Sequence, residues 1–333
     1  MPEISFDQAK QFIDNINKKN KVAIIHDNDA DGFTAGILFS NFLKNKKITH
    51  SNFIFARNKS SFKNYNLKKF DIIIIADLAP STISEDLQLV KHKKVFYTDH
   101  HPKDIQIPKQ ILEYRTKSGI SSAKTSYNLT GGNELLEVMA NSTDCGASEK
   151  ENRKIIDKFI KKNDITFQQF NRQVGYKISR TIDYFHKKPT KAFRILQSIN
   201  SLKDLNKLNK YDKIIGKEIH KHVKQYKTKK QKIGKINFYY FKPKYPIKSS
   251  IINEISYTSP KHTYIFATPT PGNKKIISLS ARNQTKKIDM AQLLKTGIKG
   301  LENANAGGHI PAAGAKIQSK DLNQFKQNLK KFQ

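Results

Sequence analysis

Short, continuous apolar runs alternate with amphipathic stretches over the first half of the chain. Val22 to Ile25, Ile72 to Ala76 and Lys94 to Tyr97 are the runs. Between the first two, Asp31 to Lys44 carries Phe33, Ile37, Leu38, Phe42 and Leu43 at helical spacing. Such β-branched runs, too short for helices and separated by helices, predict strands buried on both faces of a parallel sheet. The fold class expected is α/β, with a doubly wound parallel-sheet N-terminal domain over residues 1–150.

From about Glu149 to Gly234 the pattern becomes helical, dense in lysine and nearly free of proline. Residues 151–234 read as a helical connector. Within it, Asp204 to Lys232 predicts one or two long helices, with Ile214, Ile215, Ile219 and Val223 as their apolar stripe. Ile236 to Phe241, His262 to Ala267 and Lys275 to Ala281 then read as strands. Turn signals stand at Pro243, Pro246 and Thr270-Pro271-Gly272. Helical patterns follow at Asp289 to Lys295 and Asp321 to Phe332. A smaller α/β C-terminal domain over 235–333 is expected.

Charge changes the picture most. The chain has 61 basic and 28 acidic residues, a net of +33. That balance speaks about partners, and polyanions, nucleic acid first among them, are the natural ones. A lysine-rich proteome from an AT-rich genome, or a salt- or heat-adapted surface, would give part of the same excess. No window approaches the ~18 continuous apolar residues of a membrane span. Met1 to Asn20 lacks the layout of a secretory signal. The single cysteine, Cys145, cannot form an intrachain disulfide. A cytoplasmic protein with no membrane partner is the expectation.

Acidic residues and histidines gather where the apolar runs end. Val22 to Ile25 leads into His26-Asp27-Asn28-Asp29-Ala30-Asp31-Gly32; Ile72 to Ala76 leads into Asp77; Val95 to Tyr97 leads into Thr98-Asp99-His100-His101-Pro102. In an open parallel sheet, ligands bind in the crevice beyond the carboxyl ends of the strands. Each segment alone has an ordinary explanation as a turn, a strand end or a helix cap. Together they deliver several carboxylates and imidazoles to one edge. Clustered carboxylates repel and are costly to desolvate, so they need a compensating cation. Carboxylate oxygen with a minority of imidazole suits Mn²⁺ or Mg²⁺. Two such ions about 3.5–4 Å apart would activate a water, clamp a phosphate and stabilise the leaving oxygen.

Asp29-Ala30-Asp31-Gly32, Asp77, Asp99-His100-His101 and Asp144 resemble the four N-terminal motifs of the DHH phosphoesterases. Gly307-Gly308-His309-Ile310-Pro311-Ala312-Ala313-Gly314 resembles the glycine-rich motif of the C-terminal DHH-associated domain. In style the chain is similar to RecJ-like single-strand exonucleases, especially the shorter archaeal ones. The resemblance implies that Asp29 holds one metal and Asp31 the other, that Asp77 bridges them, and that His100 and Asp144 complete the second. It implies that His101 faces the scissile phosphate and that Asp99 orients a histidine. The first metal needs a further ligand, either His26 or Asp27. For substrate it implies Gly307, Gly308 and His309, with Arg282 as a bidentate phosphate contact.

The activity implied is two-metal hydrolysis of single-stranded DNA or RNA, with replication factors such as GINS or a helicase as further partners. Other readings are a nanoRNase or cyclic-dinucleotide phosphodiesterase, a pyrophosphatase-like enzyme, or a replisome scaffold. The large basic surface disfavours the first, the Gly-Gly-His motif the second, and the intact ligands a purely scaffolding role. Bacterial RecJ proteins carry an additional oligonucleotide-binding barrel for which this chain is too short. Tyr239, Tyr240 and Phe241 could stack bases, although residues alternating along a strand are more often core.

Overall fold

The computed structural model describes residues 3–56, 61–103, 105–116 and 120–330, with Cys145 by its backbone alone. The chain divides into two compact units, Met1–Asp212 and Lys213–Gln333.

The first unit is built on β1 (Lys21–Asp27), β2 (Thr49–Phe55), β3 (Ile72–Ala76), β4 (Lys94–Asp99) and β5 (Leu112–Arg115). The sheet order is β2-β1-β3-β4-β5, and all neighbours run parallel. The three apolar runs form the three central strands. Alternate residues of those strands face different cores, as the two-residue period requires. Ile24, Ile72, Ile74 and Phe96 pack with α1 (Phe6–Asp14) and with Ala35, Phe39 and Leu43 of α2 (Ala30–Asn45). Ala23, Ile25, Ile73, Ile75, Val95 and Tyr97 pack with Leu87 and Val90 of α3 (Ser84–Val90). Helices on both faces make the sheet doubly wound, as expected.

The opposite side of α2, through Phe33, Ile37 and Leu38, packs into a helical layer. This comprises α4 (Ser122–Thr130), α5 (Glu134–Ser142), α6 (Lys150–Lys162), α7 (Phe167–Phe170), α8 (Lys177–Tyr184) and α9 (Pro189–Gln197). A π-helical turn at Asn171–Tyr176 joins α7 to α8. Wrapped on both sides, α2 buries eleven of its sixteen residues, including Asp31. Its approach to β1 requires glycine: a Cβ on Gly32 would lie 2.6 Å from the Asp27 carbonyl oxygen, and one on Gly36 would overlap the His26 ring.

The stretch predicted as one or two helices from Asp204 to Lys232 is a 3-10 turn, Lys203–Leu208, then α10 (Asn209–Lys229). The buried positions of α10 are Ile215, Ile219, His222 and Tyr226, so its inner face is less apolar than the predicted stripe. Tyr226 meets Tyr239 and Phe266, at ring-centroid distances of 5.6 and 5.4 Å.

The second unit contains β6 (Gln231–Ile233), β7 (Ile236–Tyr240), β8 (Thr263–Thr270), β9 (Asn273–Arg282), β10 (Asn305–His309) and β11 (Ala312–Gln318). They form one sheet, β10-β11-β9-β8-β7-β6, antiparallel except between β7 and β8. α11 (Lys248–Thr258) lies on one face. α12 (Met290–Gly297) and α13 (Leu322–Lys330) cover the other, around Ile277, Leu279, Ala281, Ala313, Ala315 and Ile317. The helix predicted to reach Phe332 is described to Lys330, and its last residues lie outside the described ones. Among the described residues, no helix is long and apolar enough to cross a membrane.

Candidate metal centre

The strand order of the first sheet reverses at β1, so the chain leaves the carboxyl ends of β1 and β3 in opposite directions and opens a crevice there. β1 ends in Asp27. Asp29 then caps α2, its Oδ1 accepting from the Gly32 N–H at 3.0 Å. Asp77 follows β3 with φ 62°, and Asp144 lies on a 3-10 turn with φ 45°. Both occupy the left-handed region, which Asp enters more readily than most residues. β4 ends in Asp99 and leads into His100 and His101.

Asp31 is fully buried, and backbone groups aim it. Its Oδ2 accepts from the Ser122 N–H at 2.8 Å and its Oδ1 from the Ala123 N–H at 3.0 Å, at the N-terminus of α4. The Thr143 hydroxyl donates to Oδ1 at 2.7 Å. Even so, burial first and the charges of Asp144 and Asp29 next push its carboxyl up to about 6. Asp77 is more exposed to that repulsion. Both of its oxygens are buried without a hydrogen-bond partner. Burial, followed by the charges of Asp31, Asp29, Asp144 and Asp27, raises its carboxyl well above the ordinary range.

His100 points a single nitrogen into the same space. Its Nε2 lies 3.2 Å from Asp144 Oδ2, 3.4 Å from Asp77 Oδ1 and 3.7 Å from Asp31 Oδ2. Burial disfavours its charged form, but the carboxylates of Asp144, Asp31 and Asp99 outweigh that and raise its pKa. Ligand atoms of Asp27, Asp29 and Asp77 lie within 4.8 Å of one another; the same holds for Asp31, His100 and Asp144, and for Asp77, His100 and His101. Carboxylate oxygens with an imidazole nitrogen, those of Asp77 buried and without a donor, fit a hard divalent cation.

His101 is oriented from behind. Its Nδ1–H donates to Asp99 Oδ1 at 2.8 Å and its backbone N–H to Oδ2 at 3.2 Å. Arg115 brings its guanidinium to 3.3 Å from Asp99 Oδ2 and donates to the His101 carbonyl. Burial works against the charged form of Asp99, yet His101 and Arg115 together hold its carboxyl below the usual range.

His26 is not brought into the cluster. Its ring is buried between Phe33 and Phe193, with centroids at 5.4 and 5.2 Å, and Nδ1 meets the Asp27 carbonyl at 2.9 Å. Burial lowers its pKa to about 4. Of the two alternatives beside Asp29, Asp27 is the one the structure gathers with the other carboxylates. Arg115, Thr143 and the α4 N-terminus were not read from the sequence. Arg115 stands in register with Asp99 across β4 and β5, but β5, Leu-Glu-Tyr-Arg, has no apolar pattern to announce a strand.

The C-terminal residues belong to the second unit. Arg282 closes β9, its Nε donating to Asn253 Oδ1 at 2.9 Å and its Nη1 to the Ala281 carbonyl at 2.8 Å. Gly307, Gly308 and His309 are the last three of the 5 residues of strand β10, with φ 139° at Gly308. A Cβ on Gly308 would stand 2.5 Å from Ala313 Cα, so that position demands glycine. Tyr239 and Phe241 are core, and Tyr240 is exposed.

Residues 21–157 match the model of the DHH family N-terminal domain, and residues 245–333 match the DHHA1 domain. No curated protein matches the chain. Among solved structures, RecJ in complex with Mn²⁺ from Thermus thermophilus superposes with a TM-score of 0.74 at 14% identity. The match covers 100% of this chain and 55% of that protein, so the chain spans about half the relative's length. An exonuclease RecJ bound to manganese gives 0.70 at 14% identity, covering 100% of this chain and 95% of that one. CDC45 from Entamoeba histolytica gives 0.55 at 10% identity, covering 98% of each. With the two domain models in this order and the site gathered at the strand ends, the chain belongs to the DHH family and has a RecJ-like fold.

Proposed function

We propose that the protein is a metal-dependent phosphodiesterase acting on single-stranded nucleic acid, in DNA replication and repair or in RNA processing. The observation that carries this reading is Asp77. Both of its oxygens are buried and unpartnered, it is grouped with Asp27 and Asp29, and its Oδ1 lies 3.4 Å from the His100 nitrogen that faces Asp31 and Asp144. A carboxylate in that position is costly unless cationic charge compensates it.

In this reading Asp27, Asp29 and Asp77 would hold one Mn²⁺ or Mg²⁺ ion, and Asp31, Asp77, His100 and Asp144 would hold a second. Bound there, the ions supply Lewis-acid polarisation of the phosphate and neutralise its developing charge. The backbone N–H groups of Ser122 and Ala123 and the Thr143 hydroxyl fix Asp31 before any ion arrives. Asp99 holds the His101 Nδ1–H and leaves Nε2 to face the phosphate, where it stabilises or protonates a departing oxygen. In the second unit, Arg282, Gly307, Gly308 and His309 grip the substrate. The net charge of +33 supports a polyanionic substrate.

Likeness in fold to CDC45 favours a second reading, a replisome scaffold with GINS or a helicase as partner. The clustered carboxylates favour catalysis, because a scaffold gains nothing from their repulsion. A time course on end-labelled single-stranded DNA and RNA, with a dinucleotide and duplex beside them and Mn²⁺ present, separates the readings. Stepwise shortening of long strands, lost in Asp77→Ala, is the expected outcome. Cleavage of the dinucleotide alone would move the protein to the nanoRNases, and no cleavage at all would leave the scaffold.

A further inference from the structure

One face of the second sheet carries a grid of residues set by register. Ser278, Ser280 and Arg282 of β9 stand beside Lys316, Gly314 and Ala312 of β11. Those in turn stand beside Asn305, Gly307 and His309 of β10. The intervening residues Leu279, Ala281, Ala313 and Ala315 point into the core under α12 and α13. Contacts from α11 identify the grid as the other face: Lys248 Nζ donates to Ser278 Oγ at 2.6 Å, and Arg282 reaches Asn253.

The middle row of the grid is Gly307, Gly314 and Ser280. A Cβ on Gly307 would meet nothing within 4 Å, and one on Gly314 only the Leu279 carbonyl oxygen at 3.6 Å. Over Gly307 and Gly314 the row is therefore an open trough floored by backbone, and it closes at Ser280, which is buried. Arg282 and His309 form one wall. Lys316 forms the other, joined by Lys248 reaching down from α11. At about 3.3 Å per residue, four residues along β11 separate the walls by roughly 13 Å. That is farther than adjacent phosphates stand apart on a strand.

We propose that this trough holds a single strand by two non-adjacent phosphates, one at Arg282 and His309 and a second at Lys248 and Lys316, so that the protein favours oligonucleotides over dinucleotides. The proposal rests on the nuclease reading and adds the Lys248–Lys316 wall to it. Charge supports that wall. Burial and the neighbouring charges of Arg282 and Lys316 bring the Lys248 ammonium down to about 7, and no carboxylate is among the groups that act on it. An anion between these cations relieves their repulsion. Ser278 holds the amine in place, and Gly314 leaves room for a strand to approach.

The test is the binding of labelled single strands of two, four and eight nucleotides without divalent metal, as a function of salt. Lys248→Gln and Lys316→Gln are compared with Lys299→Gln, an exposed site after α12 on the far side of the sheet. Wild-type affinity should step up between two and four nucleotides. Each trough variant should flatten that step, and the two substitutions together should lower the slope of log affinity against log salt by about 0.7, the share of one phosphate. Lys316→Arg should restore both, which a folding defect would not allow. Trough variants indistinguishable from Lys299→Gln overturn the proposal, as does a wild-type protein that binds no oligonucleotide. A wild type that shows the lysine-dependent step but cleaves nothing with Mn²⁺ sinks the nuclease reading and leaves the trough standing.

Discussion

Asp77 Oδ1 and His100 Nε2 face each other at 3.4 Å, the carboxylate with no hydrogen-bond donor and the imidazole with three carboxylates around it. Metal-free, Asp77 is a destabilising residue. Asp77→Asn should raise the melting temperature of the metal-free protein, because burial and the surrounding carboxylates both oppose the charge that the amide lacks. Added Mn²⁺ should stabilise the wild type by about 2.7 kcal/mol at a hundredfold excess over its dissociation constant, and the variant far less. Calorimetry with and without Mn²⁺ reads both effects. A metal-free variant less stable than wild type would show that Asp77 has a stabilising role of its own.

On the proposed reading Asp99 acts through His101, whose Nδ1–H it accepts at 2.8 Å. Asp99→Asn keeps the volume but weakens the restraint on the Nδ1 proton, so kcat should fall roughly 10–100-fold. The melting-temperature gain from Mn²⁺ should stay close to wild type, because Asp99 belongs to none of the carboxylate groups that gather ligand atoms. Loss of both together would make Asp99 part of the metal site itself.

The central strands and the acidic residues at their ends were legible because burial on both faces leaves an unbroken apolar run, and ligands follow such runs. β2, Thr49 to Phe55, was not, since its edge position leaves most residues half-exposed and the run polar. β10 was hidden for another reason. Its Asn-Ala-Gly-Gly-His sequence has turn composition, and its strand conformation depends on pairing with β11. The supports of Asp31 were illegible as well. Ser122 and Ala123 contribute backbone N–H groups 91 and 92 residues away, and no side-chain pattern marks a backbone donor. At His26 and Asp27 the sequence offered two equal candidates. Gly36 and Phe193 lie against the imidazole in the core, and Asp27 is the one grouped with Asp29 and Asp77.

Two helical glycines should respond to alanine with opposite signs. Alanine ordinarily stabilises a helix interior by ~0.8–1 kcal/mol over glycine. At Gly175, in the π-helical turn, a Cβ would meet nothing within 4 Å, so Gly175→Ala should follow that rule. At Gly36 a Cβ would overlap the His26 ring, and overpacking of this kind costs about 1–3 kcal/mol. Gly36→Ala should therefore lose stability despite its better helix propensity. Denaturant titration of both variants gives the two signs. Stabilisation by both would show that α2 can move away from β1.

Asp183, half-buried on α8, lies away from the metal cluster and offers a clean pH signature. Burial raises its carboxyl from 3.8 to about 7, with the Arg180 charge opposing. Folded protein therefore holds a proton at Asp183 over a range where the unfolded chain has released it, so stability falls as pH rises from about 4 to 7. Below that window both states are protonated and the group is neutral in effect; above it the full cost of the buried charge remains. Asp183→Asn removes the titration. Its advantage over wild type should grow between pH 5 and 7 and level off above, on the order of 1–2 kcal/mol after allowance for the carboxyl's partial exposure. Urea titrations of both proteins at pH 5, 6, 7 and 8 measure the difference directly. An advantage independent of pH would place Asp183 in solvent, and a loss at pH 8 would mean that its charge is paired with Arg180 strongly enough to stabilise the fold.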